Sequence, residues 1–284
     1  MSMKKMLIAF AVIAALLAAE TAYVALGSQA SGKDIRYFVS PAGNVANTNV
    51  NAKSSGSFEI HYSTPENKSF SGTYETIKQS GVFDDMVYQL NRNFVLPTNV
   101  WIIFAQCGSS TAFYDPDQKK IEVCYEFFNN VENMYSAMDV TQNVTAAALN
   151  NTEFVLYNEI GHALIDTLNI PVTGKEEDAA DQLATLLVLE NGQNDDTPVF
   201  LTAYSLAFQS ANKNPNDLQL WDEHSLEGQR FFNIICWLYG QNPAKYQLFA
   251  SQLIPDERLQ KCEGEYAKMF RSWVQLLGPY FKNG

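Results

Sequence analysis

The spacing of apolar residues divides the chain into a short strand-rich stretch and a long helical one. Phe58, Ile60 and Tyr62 alternate with polar residues, the period-two pattern of a strand over 58–63. Ile77, Val82, Met86, Val87 and Leu90 recur near the helical period, which predicts one helix from Thr73 to Phe94, closed by Pro97. Val100–Cys107 (VWIIFAQC) and Ile121–Tyr125 are apolar runs of strand length. Tyr114-Asp115-Pro116-Asp117 between them has the chemistry of a turn, so the two runs are expected to form a hairpin. From Glu126 onward the pattern is helical, over 127–138, 150–168, 176–191, 198–211, 222–239, 243–252 and 256–277. Breaks are signalled at Pro171, Gly174, Gly192, Pro198, Pro215, Gly240, Pro243 and Pro255. Strands first and helices after, with no βαβ alternation, predict an α+β fold: a small N-terminal sheet followed by a mostly helical remainder.

The N-terminus departs from this picture. Lys4 and Lys5 precede an apolar run from Met6 to Ala19, and Ser28-Gln29-Ala30 offers small residues for cleavage, the plan of a signal peptide over 1–30. Apolar character resumes at Ala22–Leu26, so the alternative is an uncleaved membrane anchor, though Glu20 and Thr21 interrupt the run. Residues 31–56, rich in Ser, Gly, Asn and Ala, read as a flexible segment, leaving 57–284 as one domain. Either reading places the domain outside the cytoplasm, secreted, periplasmic or anchored. Cys107, Cys124, Cys236 and Cys262 then allow two disulfides in three connectivities. Pairing within local units favours Cys107–Cys124 and Cys236–Cys262. A four-cysteine zinc site would need close CxxC pairs, which the sequence lacks.

Charge and motif content narrow the function classes. A net charge of −12 argues against a nucleic-acid partner. Nothing beyond the N-terminal segment implies a membrane. No glycine-rich loop follows a strand, and there is no GxSxG elbow.

The chemistry concentrates in Phe154–Leu189, FVLYNEIGHALIDTLNIPVTGKEEDAADQLATLLVL. Asn158 and His162 stand four apart on one helix, about 40° apart around its axis, and so share a face. Glu159 can reach the same cavity from the side. On the next helix Glu177 and Asp181 are also four apart. Glu176 and Glu177, as neighbours, diverge by about 100° and do not face one bond. In the HExxH pattern two histidines hold zinc and the glutamate between them is general base. By that pattern His162 and Glu177 take metal-ligand positions and Glu159 the base position. Asp181 would steady a ligand through its far side.

These residues resemble a bacterial family of uncharacterised metallopeptidases carrying HExGHALID…P…G…EEDAADQ. The resemblance extends over roughly 57–282, through WIIFAQCG, AFYDP, IEVCYEFF, DEHSLEGQRFFNIICWLYG and CEGEY. It implies a zincin-like fold, gluzincin-type ligands, zinc, and a peptide or protein substrate. Asn158 stands where the pattern has the first histidine. Its amide oxygen is a weaker zinc donor than imidazole, but its NH2 could bond Asp181 while its oxygen faces a metal. His224 could steady an oxyanion, serve as a replacement ligand, or simply bond backbone at a helix start. His61 reads as a surface residue. Two functions follow: an exported zinc peptidase in which Glu159 activates water and substrate lies along an edge strand near Ile121–Tyr125, or an inactive homologue that binds a peptide or protein. A substitution made to inactivate the protein would also place Asn at 158.

Overall fold

A computed structural model describes residues 56–139, 143–191, 195–214, 216 and 218–282. The export segment expected over 1–30 lies outside these residues, as do the segment over 31–56 (Gly56 apart) and the break signals at Gly192 and Pro215. The described part is a mixed α+β structure, mostly helical, with a four-stranded sheet in its N-terminal part. No described helix is long and apolar enough to cross a membrane.

Strand β1 (Phe58–Tyr62) leads through helices α1 (Ser71–Ser80) and α2 (Val82–Asn93) to β2 (Val100–Ala105). The single helix expected over 73–94 is thus two, because Gly81 sits at φ 69°, the left-handed region that glycine enters without a Cβ penalty. β1 and β2 are parallel, Phe58 opposite Val100, so the helices form a crossover between them. That corrects the expectation of no βαβ unit.

Two short strands follow, β3 (Ala112–Asp115) and β4 (Lys120–Cys124), and the sheet order is β1-β2-β4-β3. β2 and β4 pair in parallel, not as a hairpin. The hairpin is β3–β4, with Tyr114 opposite Ile121, and Asp115 Oδ1 accepts from the Asp117 and Gln118 amides to close its turn. β4 is therefore an inner strand and β3 an edge. Val100, Ile102, Phe104, Ile121 and Val123 turn into the core, as alternation requires.

The helical part comprises α3 (Tyr125–Met138), α4 (Val144–Thr167), α5 (Glu176–Leu189), α6 (Thr197–Asn212), α7 (Glu227–Gln241), α8 (Pro243–Leu253) and α9 (Asp256–Leu277). Asn143 caps α4 by accepting from the Ala146 amide at 3.0 Å. α4 ends in a Schellman turn. Asn169 takes φ 52°, the Ile170 amide donates to Ile165 O at 2.8 Å, and the Asn169 amide donates to Asp166 O at 3.1 Å. That turn folds α5 back against α4. Gly161 lets the two approach, since a Cβ there would lie 3.2 Å from Ala180 Cα. Disulfides join Cys107 to Cys124, beside the sheet, and Cys236 to Cys262, between α7 and α9, the pairing expected.

Candidate metal centre

α4 and α5 present their polar faces to a cleft bounded by β3 and by the segment that precedes α7. β3 is fixed over α4 by Asp166, four residues after His162. Tyr114 Oη donates to Asp166 Oδ2 at 2.6 Å, and Lys119 Nζ reaches the same oxygen at 2.7 Å. At the other end, Glu126 accepts from the amides of Cys107 and Gly108 at 3.1 and 2.9 Å, holding the approach to the edge strand.

His162 stands between two carboxylates. Its Nδ1–H donates to Glu176 Oε1 at 2.8 Å, and its Nε2 faces Glu177 Oε2 at 3.4 Å. Glu176 is a participant that the sequence reading missed. Neighbouring helical residues do diverge, but long side chains from the first turn of α5 reach both edges of one ring. His224 approaches from the far side, Nε2 at 3.0 Å from the same Glu177 Oε2 and Nδ1–H donating to Asp222 Oδ1 at 3.1 Å. α7 begins at Glu227, later than the helix start expected at 222, so His224 lies in the preceding segment. Lys175 Nζ holds that segment by donating to the carbonyls of Asp222 and His224 at 3.0 and 3.2 Å.

Glu177 Oε2 is buried, and neither imidazole gives it a directed hydrogen bond despite these short distances. Burial opposes ionisation of Glu177, but His162 and His224 outweigh it and hold its carboxyl well below the usual range. Burial likewise opposes charge on His162, yet Glu177 and Glu176 hold that imidazole up at about 9. Glu177 is the main cause holding the His224 imidazole above its ordinary value. The cluster demands positive charge between the two Nε2 atoms and Oε2. Protons can meet that demand, and so can a cation.

Glu159 points into the cleft beside them. Burial raises its carboxyl to about 7, and Glu177 adds to the rise, while His162, the Tyr114 backbone N–H and His224 pull the other way. Two cavities, about 550 and 880 Å³, meet here, and Ala112, Glu159 and His224 line both.

Asn158 is buried, and its Nδ2–H donates to Asp181 Oδ1 at 3.0 Å. Asp181 is in turn gripped twice by Arg230 of α7, at 2.7 Å through Nε and through Nη2. Sequence spacing gave no sign of Arg230 or Lys175, because both reach in from distant elements. His61 is exposed on β1, as expected.

The fit of a metal rests on the donors. Two imidazole nitrogens backed by carboxylates and an orphaned carboxylate oxygen are the donor types that zinc takes. The set is wider than a closed shell. Among the described residues, the group whose donor atoms all lie within 4.8 Å of one another is Cys107, Cys124 and Glu126. Its sulfurs are tied in a disulfide, which removes it as a thiolate site.

The sequence profile of a family described as "putative metallopeptidase" matches residues 62–277. No curated protein and no solved structure is significantly similar to the chain.

Proposed function

The chain belongs to this metallopeptidase family, and on that premise we propose that it is an exported, zinc-dependent peptidase of zincin type. The observation that carries the reading is the buried Glu177 Oε2, faced by imidazole nitrogen yet left without a directed hydrogen bond. His162 and Glu177 would hold the metal, from α4 and α5. Asn158, its NH2 committed to Asp181, has at most an amide oxygen to offer. When bound, the metal would polarise a scissile carbonyl and acidify a water.

The remaining work falls to the chain's own groups. Glu159 takes the proton from the attacking water and passes it to the leaving amine. A carboxyl raised to about 7 is suited to both tasks near neutral pH. Substrate lies in extended form along β3, whose outer edge borders the cleft, and adds to the sheet by main-chain hydrogen bonds. The edge is Ala112–Asp115, in place of the inner strand near Ile121–Tyr125. The two cavities take substrate on either side of the scissile bond, with Glu159 at their junction. Two disulfides favour an oxidising compartment.

The test is hydrolysis of an unfolded protein substrate by the full chain, with and without a chelator. The reading predicts cleavage that the chelator stops and that Glu159→Gln lowers by about 10²–10⁴-fold. Substrate binding without cleavage at saturating zinc would favour a binding module instead.

A further inference from the structure

We infer that His224 is a metal ligand in this chain, supplying through Nε2 the second imidazole that Asn158 cannot. The inference rests on the metal site proposed above and specifies its ligand set as His162, Glu177 and His224.

The two histidines are arranged alike around one oxygen. Each brings Nε2 close to Glu177 Oε2, to 3.4 Å for His162 and 3.0 Å for His224. Each has its Nδ1–H on a carboxylate, Glu176 at 2.8 Å and Asp222 at 3.1 Å. A carboxylate behind the far nitrogen is how metal-binding imidazoles are oriented and made more basic. A histidine that merely bonded backbone would need no such partner. The acceptor itself is buried and lacks a directed hydrogen bond.

The segment carrying His224 is tied to the helix carrying Glu177. Lys175, two residues before Glu177, donates to the carbonyls of Asp222 and His224. The His224 amide also donates to Asp222 Oδ1 at 2.8 Å, so one carboxylate sets both backbone and ring. The Asn158 NH2 is committed to Asp181, which Arg230 already grips, so Asn158 has only an amide oxygen to offer in place of an imidazole. Two imidazoles and one carboxylate make a catalytic donor set with a position left open. The side chain of His224 is 52% exposed and lines both cavities.

The test is the zinc affinity of the full chain, measured by competition with a chromophoric chelator and supported by the absorption of the cobalt(II)-loaded form. Thermal melts in chelator establish that each variant folds, and an exposed side chain makes His224→Ala safe on that count. His162→Ala and His224→Ala are each expected to weaken zinc by roughly 100-fold or more, since loss of an outer partner alone costs about 10–100-fold. His224→Ala should also lower the cobalt absorption, and Asn158→His added to His224→Ala should restore zinc affinity. A His224 that acted only on a substrate oxyanion would leave both readouts unchanged. Zinc affinity lost in His162→Ala but kept in His224→Ala overturns this inference and leaves the metal site standing. Absence of zinc binding by the parent chain overturns both.

Discussion

Asn158 Nδ2 donates to Asp181 Oδ1 at 3.0 Å, one bond across the interface between the two helices that carry the candidate site. Asp181 is 2% exposed, and its charge is balanced by Arg230 from a third helix. An amide alone cannot replace that balance. Arg230→Ala should therefore destabilise the fold by about 3–5 kcal/mol, the cost of leaving a buried carboxylate unpaired. Denaturant unfolding of the variant measures it. Pairing Arg230→Met with Asp181→Leu should recover most of the loss, because an apolar pair of similar volume has no charge to strand.

Gly161 sets the separation of the same helices. A Cβ there would meet Ala180 Cα at 3.2 Å and its O at 3.4 Å, a contact relieved by a few tenths of an ångström. Valine adds two methyls beyond a Cβ that is already in tight contact with Ala180. Gly161→Ala should be mild, whereas Gly161→Val should cost about 2 kcal/mol, typical of overpacking. It should also weaken zinc at least about tenfold by moving His162 away from Glu177. Unfolding curves and zinc titrations of the two variants separate these effects.

How much of this was legible in the chain follows from the range over which each feature is decided. The approach of His162 to Glu177 was readable because helical spacing and a short turn fix a helix face locally, and the helices from α3 to α9 followed for the same reason. The parallel pairing of β2 with β4 was not. Val100–Ala105 and Lys120–Cys124 look alike as apolar runs, and what separates them is the four-residue β3 that takes the hairpin position. Gly81 lay inside a continuous helical pattern, and only its left-handed backbone reveals the break. Glu176 escaped notice because its role depends on side-chain reach, not helical phase. Lys175 and Arg230 escaped because their partners lie 47 to 49 residues away in sequence.

Glu153, on α4, offers a stability test away from the site. Burial raises its carboxyl from 4.5 to about 8, with the charge of Asp195 adding to the shift. An acid raised in the folded state leaves stability intact below pH 4.5, where both states are protonated. Stability is then lost as pH climbs from there through about 8, because only the unfolded chain ionises freely. Glu153→Gln removes that loss. The variant should match the parent near pH 4.5 and exceed it by ~2 kcal/mol above pH 8. That figure takes about 1.4 kcal/mol per pKa unit and discounts it by roughly half for residual solvent contact. A stability difference that does not change with pH would contradict the assignment.

Zinc content decides whether this helix pair is a metal centre despite Asn158. The full chain, stripped with chelator and dialysed against micromolar zinc, is analysed for metal per polypeptide. About one zinc per chain is expected, held by the His2Glu type of donor set, with the bound metal lost in Glu177→Ala. A parent chain that emerges with no zinc, while Asn158→His takes up a full equivalent, would contradict it.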